Sequence, residues 1–128
     1  MAFELDEKFL IDVENQLGAK LPSSYRQAMM IRNGGEISVK GDSWQLHPIF
    51  DQSDRKKIAR TCNHIIKETE SMMDWQGWPS NALAIAQNGS GDTLLFLRKE
   101  KMFSPEVYVW DHESGELHIV TEEFESLI

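Results

Sequence analysis

Few residues in this chain combine a reactive type with a spacing that could do chemistry. Cys62 is its only cysteine. A thiol nucleophile needs an accessible, electropositive setting. Cys62 instead falls on an apolar stripe with Ile58, Ile65, Ile66, Thr69, Met72 and Met73, where cysteine serves as a small hydrophobe. It is expected in the core. Gly89-Ser90-Gly91 resembles part of a nucleophile elbow or a phosphate loop. An elbow needs Gly-x-Ser-x-Gly leading into a helix, and a phosphate loop needs a lysine and a helix N-terminus. A strand pattern follows instead, and Asp92 would repel a phosphate. The segment reads as a hairpin loop.

His47, His64, His112 and His118 contain no His-x-x-x-His pair that would put two imidazoles on one helical face. His112 and His118 share a hairpin with Asp111 and Glu113, but a closed metal site needs several ligands converging at fixed geometry. The pair Asp111/Glu113 lies on a turn, where carboxylates stay solvated. General acid chemistry needs burial to raise one pKa. Arg55-Lys56-Lys57, with Arg60, lacks the interleaved aromatics and wider basic field of a nucleic-acid site. No catalytic residue, metal or cofactor is expected, and the chain is read as a non-enzyme.

Recognition chemistry is better represented. The formal charge is −8, and its distribution is uneven. Residues 102–128 carry Glu106, Asp111, Glu113, Glu116, Glu122, Glu123 and Glu125 with no lysine or arginine. Such a field repels nucleic acid and attracts basic surfaces. Among Trp44, Trp75, Trp78 and Trp110, the two nearest acids on predicted hairpins are Trp44 and Trp110. An exposed tryptophan beside acids is a binding hot spot. The nominated partner contacts are Asp42, Trp44, Asp111, Glu113 and Glu116, with Glu122 at the rim.

Periodicity supplies the elements that must position these groups. A helix is expected from about Asp6 to Leu17, with Phe9, Leu10, Val13 and Leu17 on one face and Gly18 ending it. Pro22 suits the first turn of a second helix with Tyr25, Ala28 and Met29 inside, ended by Asn33-Gly34-Gly35. Strands are expected at 36–40 and 43–49 around a Gly41-Asp42 turn. A long third helix carries the Ile58–Met73 stripe to near Trp75, with Ser53 or Asp51 as its cap. Strands follow at 82–87, 93–97, 106–110 and 116–120, then a short helix at 122–127. Helices first and an antiparallel meander after predict an α+β fold, one domain over 1–128. No apolar run reaches the roughly 20 residues of a membrane span. The acidic start is unlike a signal peptide, so a cytoplasmic protein that binds neither membrane nor nucleic acid is expected.

These segments together resemble the SUKH superfamily, the Smi/Knr-type domain. The resemblance lies in Leu17-Gly18-Ala19-Lys20-Leu21-Pro22-Ser23-Ser24-Tyr25, then Asn33-Gly34-Gly35, then Ile85-Ala86-Gln87-Asn88-Gly89-Ser90-Gly91-Asp92. Val107-Tyr108-Val109-Trp110-Asp111-His112-Glu113 and Phe124-Glu125-Ser126-Leu127-Ile128 complete it. It departs at Leu97-Arg98, where members often carry an Asp, and residues 42–80 hold no matching signature. The resemblance implies an antiparallel sheet packed by helices and no catalytic residues. For short bacterial members it implies an immunity protein that binds and blocks a cognate polymorphic toxin, often a nuclease. For others it implies a non-enzymatic scaffold. A toxin partner with a basic surface fits the acidic region. Oligomeric state is left open.

Overall fold

A computed structural model describes residues 2–128. Four helices and seven strands run in the order α1 (Glu7–Leu17), α2 (Ser23–Ile31), β1 (Gly35–Val39), β2 (Asp42–Leu46), α3 (Arg55–Arg60), α4 (Ile65–Met72), β3 (Ala82–Gln87), β4 (Thr93–Lys99), β5 (Met102–Phe103), β6 (Val107–Trp110) and β7 (Leu117–Thr121). A 3₁₀ turn, Phe124–Leu127, follows. The strands form one antiparallel sheet ordered β1-β2-β3-β4-β6-β7, with β5 hairpinned onto β4. This is the expected α+β fold.

Alternation along β4 and β6 gives the sheet two apolar faces. Leu94, Phe96 and Val107 join the large cluster built with Phe9, Leu10 and Val13 of α1 and Tyr25 and Met29 of α2. Leu95 and Trp110 form a smaller cluster on the other side with Ala82, closed by Met72 of α4 and by Trp78. Phe124 plugs the large cluster. Its ring and that of Phe96 each meet the Tyr25 ring edge-on at 5.1 Å.

Helix α1 begins where Asp6 accepts the Lys8 N–H and ends with Gly18 in the left-handed conformation. Its last carbonyls would be orphaned. Arg98, at the predicted departure from the family pattern, answers them. Its guanidinium donates to Leu17 O at 2.6 Å and Gly18 O at 3.0 Å, while Nε donates to Glu100 O at 2.7 Å. A cation at a helix C-terminus also opposes the helix dipole. Buried Glu14 does similar work for the Leu21-Pro22 link. It accepts the Leu21 N–H at 2.8 Å and pairs with Arg26 at 3.3 Å. Asn33 fastens the next turn, exchanging two hydrogen bonds with the backbone of Ile49.

The expected third helix is two helices. The chain breaks at Thr61–His64 because local side chains compete with the helical ladder. Thr61 Oγ1 donates to Lys57 O and accepts the Asp51 N–H. His64 caps α4 by accepting the Lys67 N–H, and the Ile65 N–H turns to Pro48 O. The cap of α3 is Asp54, not Ser53 or Asp51. Cys62 sits in the break and is exposed, so its expected place in the core is corrected. Ile58 is exposed too, while Ile65 and Thr69 are buried. Thr69 accepts the Ala84 N–H beside a β-bulge, which docks α4 on β3.

Replacing Arg98 by alanine is expected to lower unfolding stability by about 1–3 kcal/mol, because three charge-assisted bonds to carbonyls are lost. Lysine at this position should restore only part, lacking the planar fork. Urea unfolding of the two variants checks both.

Candidate functional site: an acidic end of the sheet

Register decides which loops meet. Val39 pairs with Asp42, Gln87 with Thr93, and Trp110 with Leu117. Gln45 pairs with Gln87 and Thr93 with Trp110. The β1–β2 turn, the β3–β4 loop and the β6–β7 hairpin therefore all emerge at one end of the sheet. From β2 to β6 is three strand spacings, about 14 Å. Asp92, Asp111, Glu113 and Glu116 lie on the last two of these connections, and Asp42 opens β2 directly after the first. Each is exposed or half-exposed. Among the described residues, none of the five forms an ion pair with a lysine or arginine. Lys40 is the one lysine or arginine in the same turns. The first turn itself is Lys40-Gly41, both at positive φ, rather than Gly41-Asp42, so Asp42 starts the strand.

The β3–β4 loop and the β6–β7 hairpin are tied by one contact. His112 Nδ1 lies 2.7 Å from Asp92 Oδ1, which also accepts the His112 backbone N–H at 3.2 Å. The bond to Asp92 raises the His112 pKa from its ordinary value, against a smaller loss of hydration. Partial burial works against the Asp92 carboxylate, yet the bonds from the His112 ring and backbone and from Asn88 hold its pKa below the usual range. Asp111 Oδ1 accepts the N–H groups of Glu113 and Ser114, which shapes the hairpin. Asp92, Asp111 and His112 bring ligand atoms within 4.8 Å of one another. Three half-exposed donors, already bonded to the protein, make an incomplete cation shell. His118 stands apart, 3.5 Å from Glu116.

Trp110 anchors the hairpin from below. Its indole N–H donates to Gly77 O at 3.2 Å, and its ring meets Trp78 edge-on at 5.3 Å and Trp75 at 6.1 Å. The Trp75–Trp78 segment can approach this closely because two glycines face each other. A Cβ on Gly77, at φ +86°, would come within 3.3 Å of the Gly115 Cα. Trp75 is left 49% exposed beside the acidic hairpin.

Two nominated contacts are corrected. Trp44 is buried, because strand alternation puts Trp44 and Leu46 on the inner face with Ile37 and Val39. Trp110, also favoured as an exposed aromatic, is fully buried. Glu122 follows β7 at its far end, six residue steps or about 20 Å along the strand from Glu116, so it stands outside the acidic end. Glu123 next to it accepts the Ser24 hydroxyl. The carboxy-terminal acids thus form two groups rather than one platform. Sequence reasoning missed Asp92 and Trp75. Asp92 was legible as an acid in a loop flanking β4, but its neighbour across the sheet depends on register.

The His112 imidazole should titrate with a midpoint above 6.5, and Asp92→Asn should bring it down. Linkage fixes the window. The stabilising contact is fully present below the unfolded histidine pKa and fades as pH rises through the raised folded value. On the acid side it is lost as pH falls through the depressed Asp92 pKa. Ring-proton NMR titration of both proteins checks the midpoint.

The profile of the SMI1/KNR4 family (SUKH-1) matches residues 4–128. None of the curated proteins compared with the chain matches it. No helix is long and apolar enough to cross a membrane among the described residues. With its α+β sheet and a match spanning almost its whole length, the chain belongs to the SMI1/KNR4 family (SUKH-1).

Proposed function

We propose that the protein is a bacterial immunity protein, cytoplasmic and non-enzymatic, that binds and neutralises a cognate polymorphic toxin through a basic face of that toxin. Family membership supports the class. The acidic end of the sheet is the observation that carries the mode of binding. Five carboxylates on or directly beside three adjacent connections offer a surface complementary to the phosphate-binding face of a nuclease. Asp42, Asp111, Glu113 and Glu116 remain the nominated contacts, now with Asp92 in their midst.

Charge alone steers and selects more than it holds. Affinity needs a desolvated anchor, and Trp75 supplies one. Half of its surface is open while its ring stands perpendicular against that of Trp110, so little entropy is lost when a partner covers it. Exposed Met73 extends the apolar area on the same segment.

The test is capture of a basic toxin domain from the source cell, followed by co-expression rescue. Trp75→Ala should weaken binding about tenfold or more. The triple reversal Asp42→Lys, Glu113→Lys, Glu116→Lys should weaken it further and abolish rescue while leaving the fold intact. Capture of only non-toxin proteins, with no rescue by the unaltered chain, would point to the scaffold role instead.

A further inference from the structure

Strand β7 is last in the sheet order, and among the described residues no strand pairs with its outer edge. Natural edge strands are usually blunted by lysine, proline or a cover. The sequence Leu117-His118-Ile119-Val120-Thr121 carries no lysine or proline. Its one blunting device is a register shift near Val120, at the far end.

The alternation of an antiparallel ladder tells which backbone groups are open. The Asp111 N–H donates to Glu116 O at 3.0 Å, so Asp111 and Glu116 form a hydrogen-bonded pair. The next pair, Trp110 with Leu117, is then non-bonded. Val109 with His118 is bonded, and Tyr108 with Ile119 is non-bonded. The N–H and C=O groups of Leu117 and Ile119 therefore face outward, away from β6. The Ile119 side chain is 53% exposed on the same strand. Exposed carboxylates flank it, Glu113 and Glu116 at one end and Glu122 at the other.

We infer that the outer edge of β7 receives an extended, lysine- or arginine-bearing segment of the partner protein as an added strand. Backbone pairing to Leu117 and Ile119 provides the register, and apolar contact with Ile119 provides fit. Cationic side chains three residues to either side of the one that meets Ile119 reach Glu116 and Glu122, which gives the end-of-strand Glu122 a role outside the acidic end. The inference rests on the proposed function only for the positive charge of the partner. A second copy of this chain is disfavoured, because it would bring like-charged ends together.

A synthetic peptide alternating lysine and valine is the probe. Its control is the same sequence N-methylated at every second residue, which keeps the charge and side chains but removes the N–H groups that an added strand must donate. Binding of the first peptide should slow hydrogen exchange at the Leu117 and Ile119 amides about tenfold or more, leaving the already paired His118 amide unchanged. Ile119→Lys should abolish that protection. No binding at millimolar peptide, equal binding of the control, or perturbation of the hairpin acids without slowing of the two amides would each overturn the inference. So would a dimer in which the same amides are protected without peptide. The peptide contains no toxin sequence, so failure here leaves toxin capture to stand or fall by its own test.

Discussion

Carboxylates repel one another, so a protein that gathers several at one place must offset that repulsion within its own fold. Here the offset is the bond from the His112 imidazole to Asp92. It joins two acidic loops that would otherwise part, and it does so with a group that carries positive charge when protonated. The hairpin below is held from the opposite direction by Trp110, whose indole reaches Gly77 while its ring is boxed by Trp75 and Trp78. Both ties act on the six residues of chain between β6 and β7. The acidic surface, the exposed edge of Trp75 and the outer edge of β7 are all consequences of where that hairpin is fixed.

The rest of the fold serves this placement at a distance. Glu14 and Arg98 satisfy the backbone on either side of Gly18, which sets the angle between α1 and α2. Those helices cover one face of β4 and β6, so the other face is free to seat the tryptophan segment. Most of the acidic end is therefore built from loops on a rigid scaffold, where side chains can vary without cost to the core.

Much of this was legible in the sequence. The apolar faces of α1 and α2, the Gly18 stop and the strands at β3 and β4 follow from period and turn chemistry. The break between α3 and α4 was not, because the stripe from Ile58 to Met73 continues through it. The side-chain bonds of Thr61, back to Lys57 O and across to the Asp51 N–H, and of His64 to the following turn end the helix. Trp44 was misplaced although its own alternation, with Ser43 and Gln45 polar on either side, already pointed it inward. Trp75 lies in an irregular segment, where no period marks a face. Asp92 and Asp111 are nineteen positions apart and meet only because β4 pairs with both β3 and β6. Composition located the acidic residues, but register divided them between two ends of the sheet.

The most direct test of the central claim is the rate at which the protein associates with its captured toxin domain as ionic strength rises. An exposed acidic end facing a basic surface predicts a rate that falls steeply as the Debye length shrinks from about 30 Å to about 8 Å, with the dissociation rate nearly constant. An association rate that does not respond to salt would contradict electrostatic capture, whatever the fold and family of the chain.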